Sequence, residues 1–288
     1  GGMPYITYPF KGTDNFALPR LSYHETALKI AADCDTAMTL LPDRWDMANL
    51  GRPTHGAAMA LKATTLLFDA SPNNNPSNDI SRWEAAAEAS WELISMAEAT
   101  ERYILLPCSG TDQVSYLAKG VVETIDYPSG YDSIFMYQPY HDEIIWENYS
   151  RANSGNIYLP FTTASIDKGG VIQGYAPNHS HVEMYETING LAIEDDPDFD
   201  DQNPFVDRDP RFYNNILFNQ ERWTSKSDFY LELWRGGRDR QEIRLYYTIT
   251  GYLARKFWGE NLDQWSGTNP PYTHVIYFRY ADILLQYA

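Results

Sequence analysis

Apolar residues recur at helical spacing through much of the first 125 positions. Ser22 and Glu25 form an S-x-x-E capping box, after which Leu28, Ala31, Cys34, Met38 and Leu41 share one face until Pro42 ends the run. The pattern resumes at Thr54 and carries Ala57, Ala58, Leu61 and Ala63 to Phe68, with Asp69-Ala70-Ser71-Pro72 as the breaker. The small residues of this segment would let a neighbouring helix approach closely. Ser81 and Glu84 repeat the capping box ahead of Trp83, Ala87, Trp91, Ile94 and Ala97. Val114, Leu117, Val121, Val122 and Ile125 predict a fourth helix over 111–125. Consecutive helices with short connections favour antiparallel pairs, as in helical-repeat folds. No tetratricopeptide consensus recurs at its period of about 34 residues, so pattern alone does not make this a repeat array.

The second half changes character. Residues 127–177 are rich in Tyr, Asn, Gly and Pro, with one extended stretch at Glu143-Ile144-Ile145-Trp146-Glu147. Ser180 and Glu183 make a third capping box, opening a helix for which Gly190 is the natural stop. Leu191 to Thr273 reads as one long irregular region, and loops of that length are usually functional. Phe278 to Ala288 returns to an amphipathic helical pattern without a C-cap signal. The chain therefore reads as the middle of a longer polypeptide. Its organisation is a helical scaffold portion over 1–126 and a loop-rich region with returning helices over 127–288, within one continuous domain.

Charge narrows the function classes. Twenty-two basic against 39 acidic residues give a net charge of −17. That balance opposes nucleic acid, where affinity comes from neutralising phosphates, and opposes an anionic membrane surface. No stretch approaches the roughly 20 apolar residues of a membrane span. Cys34 falls in a helical pattern and Cys108 in a loop, which leaves a disulfide open without indicating one.

Enzyme signatures do not appear: there is no G-x-S-x-G, no phosphate loop, no H-E-x-x-H and no paired C-x-x-C. With 39 acids a glycosidase carboxylate pair is always available, but nothing points to one. His179 and His181 read as surface histidines at a helix start rather than a metal pair. Asp196, Asp198 and Asp200 alternate like calcium-loop ligands, with Asp207 near the closing position. Asp201 occupies the position that needs glycine, and Pro197 and Pro204 spoil the turn, so a solvated acidic loop is the better reading. No cofactor is expected.

Aromatic content is the unusual quantity: eight Trp, 22 Tyr and 12 Phe make 15% of the chain. Tyr and Trp offer a flat apolar face with a polar handle, which suits wet recognition surfaces as well as cores. Carbohydrate C–H faces stack on such rings while Asn, Asp and Arg bond the hydroxyls. Tyr149, Asn153, Asn156, Tyr158, Trp223, Tyr230, Trp234, Arg235 and Arg238 hold that vocabulary and are the candidate ligand-binding residues.

Several segments together resemble the SusD/RagB family of Bacteroidetes outer-membrane nutrient-binding lipoproteins. Gly1-Gly2-Met3-Pro4-Tyr5-Ile6-Thr7 resembles its G-G-x-P segment, and Gly51-Arg52-Pro53-Thr54-His55-Gly56-Ala57-Ala58 continuing to Ala63 resembles its G-R-x-T-x-G-A-A helix. Trp83-Glu84-Ala85-Ala86-Ala87 and Asp142 to Glu147 stand where the family has similar stretches. Asn203-Pro204-Phe205-Val206-Asp207-Arg208-Asp209-Pro210-Arg211-Phe212 is close to its N-P-x-x-N-R-D-P-R-F, with Asp207 in place of the usual Asn. Arg279-Tyr280-Ala281-Asp282 and the residues after it resemble its R-Y-A-D-x-L-L-x-Y-A helix.

The resemblance implies a mainly α fold with tetratricopeptide-like pairs and a large irregular, loop-built ligand face. It implies a non-enzymatic cell-surface protein that captures a glycan and passes it to a SusC-like TonB-dependent transporter. The outer membrane would be reached only through an N-terminal lipid anchor outside this chain. Peptide uptake of the RagB type, or a helical scaffold without a small ligand, are the alternatives. Asn203, Pro204, Asp207, Arg208, Asp209, Pro210 and Arg211 are expected to be structural, with Asp207, Arg208, Asp209 and Arg211 forming an ion-pair and hydrogen-bond knot behind the Ser180 helix.

Overall fold

A computed structural model describes residues 2–107, 110–128, 131, 133–136, 141–151, 176–222, 229–240, 248, 250–256 and 272–288. Two compact units emerge from the chain's contacts. One comprises Gly1–Leu106, Tyr140–Tyr149 and Val275–Ala288, the other Pro107–Pro139 and Ser150–His274.

The first unit is helical. α1 (Tyr23–Leu40) starts at the Ser22–Glu25 capping box, with both reciprocal bonds formed. α2 (His55–Ala70) is capped by the Thr54 hydroxyl, which accepts from the Ala57 N–H. α3 (Ile80–Thr100) is capped by Asp79 rather than by Ser81 as the spacing predicts; the Asp79 carboxylate accepts from the Ser81 N–H at 3.0 Å. Its buried stripe is Ala86, Ala89, Ser90, Leu93, Ile94 and Ala97, so Trp91 is displaced to the surface, where it lies 5.2 Å from the Tyr287 ring.

α2 packs against both α1 and α3. The close approach rests on small residues: Gly56, Ala57, Ala58, Ala60, Ala63 and Ala70 of α2 are all buried. At Gly56 a Cβ would overlap the buried Tyr103 ring, so only glycine fits there. α7 (Tyr280–Tyr287) completes the layer against α3 and α2, burying Tyr280 and Ile283 with Met59, Leu93, Tyr103 and Ile145. Two strands lie mostly in this unit, β3 (Ile144–Arg151), which contains most of the extended stretch read from sequence, and β6 (Tyr272–Arg279), paired with it. The terminal helical pattern is thus strand up to Arg279, and the helix begins at Tyr280.

In the second unit the predicted fourth helix is a β-hairpin. β1 (Thr111–Ala118) pairs antiparallel with β2 (Val121–Pro128), from Thr111 opposite Pro128 to Ala118 opposite Val121. Lys119 and Gly120 connect them with φ 51° and 84°, the left-handed pair that a type I′ turn requires. Val114, Leu117, Val121, Val122 and Ile125 coincide with helical spacing, yet burial alternates along β1, with Val114 and Tyr116 inward and Val121 and Val122 exposed.

α4 (Ser133–Met136) follows, then α5 (His179–Glu183), which is shorter than the predicted helix and capped by Asn178, whose side chain accepts from the His181 N–H. Residues 184–209 run as turns, with Gly190 at φ 71° in one of them. α6 (Pro210–Asn215), β4 (Ile216–Leu217) and β5 (Leu253–Ala254) close the unit, β4 pairing antiparallel with β5. Its core is aromatic: Phe205 stacks on Phe218 at 4.6 Å, and Phe212, Tyr213, Tyr116 and Tyr127 surround them.

Candidate functional site

The loop after α5 is tied down by one arginine. Arg208 is buried, and its guanidinium donates to the carbonyls of Val182 (2.9 Å), Tyr185 (2.6 Å), Pro204 (2.9 Å) and Glu186 (3.4 Å) while lying 5.0 Å from the Phe212 ring centre. A planar fork with five donors suits this gathering of carbonyls from three chain segments. The neighbouring motif residues divide the rest of the work. Asp207 acts through its backbone, with φ 51° and a carbonyl that accepts from the Ile188 N–H at 2.7 Å. Asn and Asp tolerate that left-handed conformation better than other side chains. Asp209 caps α6, accepting from the Arg211 N–H, and forms an ion pair with the Arg211 guanidinium. Pro210 stands in the first turn, where a missing N–H is harmless. Tyr213 donates to the Phe205 carbonyl and accepts from the Arg208 N–H; burial pushes its phenol up to about 12. The predicted knot is therefore an arginine–carbonyl cluster beside an Arg211 that pairs with Asp209 and, at 3.7 Å, with Glu186.

The acidic segment spends its carboxylates on its own backbone. Asp196 is buried and accepts from the Thr187 hydroxyl, the Asn189 amide and the Asp198 N–H. Asp200 accepts from the Gln202 N–H at 2.9 Å and from the Asn203 amide. Among the described residues no three His, Cys, Asp or Glu side chains converge to hold a metal ion. Asp196 and Asp200 each build an Asx turn here, through the Asp198 and Gln202 N–H groups.

These bonds hold the Asp196 carboxyl, chiefly through Thr187, and the Asp200 carboxyl, chiefly through the Gln202 N–H, below the usual carboxylate range. A depressed folded pKa means that the stabilisation is present above the unfolded value and lost as pH falls through the folded one. NMR signals of the Asp198 and Gln202 amides should titrate with midpoints below the ordinary Asp value of about 3.9. Midpoints at or above it would mean that the loop is not held by these carboxylates.

Between the hairpin and this loop lies a pocket of about 660 Å³. Tyr116 and Phe199 are its aromatic walls, and Glu123, Asn189, Asp198, Asn203 and Lys119 supply polar groups. Tyr116 donates to Glu123 at 2.6 Å, and burial followed by that bond raises its phenol pKa. A site dominated by acceptors, with a single ammonium, fits a ligand rich in hydroxyl donors or carrying positive charge.

A second candidate element is the loop 229–240. The Gln220 N–H donates to the Leu231 carbonyl and the Leu117 N–H to the Gln220 carbonyl, so the loop extends the hairpin layer. Leu231 and Leu233 are buried, and the Leu233 N–H donates to the Asn219 side chain. Buried Asp239 accepts from the Glu232 N–H at 3.0 Å and from Arg238 at 2.8 Å. The tip is closed by the Gly237 N–H donating to the Trp234 carbonyl at 2.9 Å. Trp234 stands at that tip, 43% exposed, on backbone held from both sides.

The sequence-predicted ligand residues thus separate. Tyr230 and Arg238 brace the loop: Arg238 donates to the Tyr230 carbonyl and lies 4.4 Å from the Phe229 ring. Trp234 and Arg235 are at its exposed tip. The backbone of Tyr149 lies in β3. Asn153, Asn156, Tyr158, Trp223 and Cys108 lie outside the described residues, while Cys34 is buried in α1. Tyr116, Lys119, Glu123 and Phe199 were not among the predicted residues; the Lys119-Gly120 turn signal was the clue that places the first three on a hairpin.

A helical scaffold with an irregular, aromatic-rich second region is the architecture of a SusD-like fold. Residues 142–288, just over half of the chain, match the model of the SusD family, and the chain belongs to that family. No curated protein matches it. Among solved structures, a SusD-like protein from Bacteroides fragilis aligns over 100% of this chain and 52% of its own, with 22% identity and a TM-score of 0.69. A SusD-like carbohydrate binding protein from the same organism aligns over 99% and 49%, with 18% identity and a TM-score of 0.67. Surface glycan-binding protein A from Bacteroides thetaiotaomicron, in complex with laminarihexaose, aligns over 93% and 50%, with 16% identity and a TM-score of 0.51. The chain spans about half the length of these structures.

Proposed function

We propose that the protein is a non-enzymatic, cell-surface glycan-binding protein that captures a neutral oligosaccharide or polysaccharide and delivers it to a SusC-like TonB-dependent transporter. The observation that carries the reading is Trp234, an exposed indole on a loop whose backbone is pinned by buried Asp239 and by Asn219. A preformed loop keeps the ordering cost of binding low. The acceptor-rich pocket lined by Tyr116, Glu123, Asn189 and Asn203 suits hydroxyl donors. Membership of the SusD family and the laminarihexaose complex of a relative sharing the fold support the same reading. Outer-membrane attachment through a lipid anchor belongs to this proposal. The five acidic residues Glu123, Asp196, Asp198, Asp200 and Asp207 at the pocket, against Lys119 alone, favour basic peptides as the second reading.

Calorimetry against neutral glycans, laminarihexaose first, and against basic peptides tests it, with a reducing-end assay alongside. One glycan should bind without new reducing ends, and Trp234→Ala should weaken it about tenfold, the loss of one stacked aromatic contact. Silence across the glycans with salt-sensitive heat from peptides would overturn it in favour of the second reading.

A further inference from the structure

The first unit has a pocket of its own, of about 220 Å³, with a chemistry opposite to the rest of this acidic chain. Its ionisable lining residues are Arg44, Arg52 and Arg102, and among the described residues no carboxylate lines it. Trp45 and Trp146 form aromatic walls, and both indoles are fixed. The Trp45 Nε1–H donates to the Pro53 carbonyl at 2.8 Å, and the Trp146 Nε1–H donates to the Gly51 carbonyl at 3.0 Å. The loop carrying Arg52 is therefore clamped by the two rings, and Arg52 itself lies 5.6 Å from the Trp45 ring centre.

Charge compensation is weak. Arg44 meets Asp142 only at 3.9 Å, and both groups are well exposed. Asp46 is occupied as the cap of the 3₁₀ turn Met47–Asn49. The Arg102 guanidinium lies over the Tyr103 ring at 4.6 Å, and among the described residues its buried Nε–H has no hydrogen-bond partner. Burial is the largest influence on Arg102 and lowers its proton affinity; Arg44 acts in the same direction, and Tyr103, Asp142 and Asp43 offset it only in part. Guanidinium forks pair with planar carboxylates in bidentate fashion, and indole faces accept the C–H face of a pyranose ring.

We propose that this pocket binds a single sugar acid, its carboxylate taken by the arginine guanidinium groups and its ring laid against an indole. The volume admits about one such residue and not a stretch of polyuronate. None of its lining residues belongs to the Trp234 loop, and the proposal does not rest on the function proposed above.

The test titrates glucuronate, glucose and acetate into the full chain by calorimetry, at low and at physiological salt. Glucuronate should bind with a Kd on the order of 1 mM, weaken as salt rises, and exceed both glucose and acetate. Arg102→Gln should weaken it about tenfold, the loss of one charge-assisted bond. Exposed Arg52→Gln, which leaves the fold intact, should weaken it in the same direction, and Trp234→Ala should leave it unchanged. Equal heats from glucose and glucuronate, acetate binding as tightly as glucuronate, or full affinity in both arginine variants would each overturn the assignment.

Discussion

Replacing Arg208 by methionine is expected to destabilise the second unit by about 3 kcal/mol, lowering its thermal midpoint by about 10 °C. Methionine keeps much of the volume, so packing against Phe212 is largely retained. What disappears is the donor set: the carbonyls of Val182, Tyr185, Glu186 and Pro204 lose the group that gathers them. An orphaned buried acceptor costs about 1–3 kcal/mol, and water reaching some of the four limits the sum. Arg208→Lys should fall between, because a compact ammonium cannot span acceptors set for a planar fork. Urea unfolding monitored by the near-ultraviolet signal of the aromatic cluster measures the effect. A loss under 1 kcal/mol would mean that the guanidinium is merely tolerated there.

Glu143→Gln is expected to cost the first unit about 3 kcal/mol, the scale for disrupting a buried ion pair. Glu143 is 2% exposed; one carboxylate oxygen accepts from the Leu106 N–H at 3.0 Å, the other from Arg279 at 3.0 Å. Its backbone carbonyl also accepts from the Tyr280 N–H, at the start of α7. The carboxylate therefore joins the end of the α3 connection, the start of β3 and the β6–α7 junction. Glutamine keeps the shape but removes the charge facing Arg279, which retains Asp282 at 3.4 Å. A double-mutant cycle with Arg279→Met should return a coupling above about 1 kcal/mol. Additive losses would show that the two side chains act independently.

Local signals carried the helical scaffold well. Ser22 caps α1 through the expected capping box, the second helix starts beside Thr54 as its pattern implied, and the alanines of α2 do allow two neighbours to approach. Failures fall where two periods coincide or where partners are distant in sequence. Val114, Leu117 and Val121 satisfy a 3.6-residue repeat, but the Lys119-Gly120 turn and the pairing of Tyr116 opposite Glu123 decide for strands. The pocket residues Tyr116, Lys119 and Glu123 became visible only with that pairing, because they meet Asn189 and Phe199 from some 70 positions along the chain. Asp196, Asp198 and Asp200 have the spacing of ion ligands, and their backbone turns use the same spacing for another purpose. Arg208 stood in a recognisable motif, yet its four carbonyl partners belong to segments whose approach no local rule describes.

The hairpin has a consequence for how this protein behaves in crowded solution. Among the described residues β2 pairs only with β1, while β1 also meets Glu221 and the chain around it. Val121 and Val122 on β2 are exposed, the kind of apolar strand surface that natural proteins guard against adding another molecule's strand. Glu123 and Asp126 on the same strand and Pro128 at its end act as gatekeepers: charge repels a like strand, and proline lacks the N–H to extend the ladder. Glu123 therefore serves twice, as a charge on this strand and as a polar group of the pocket.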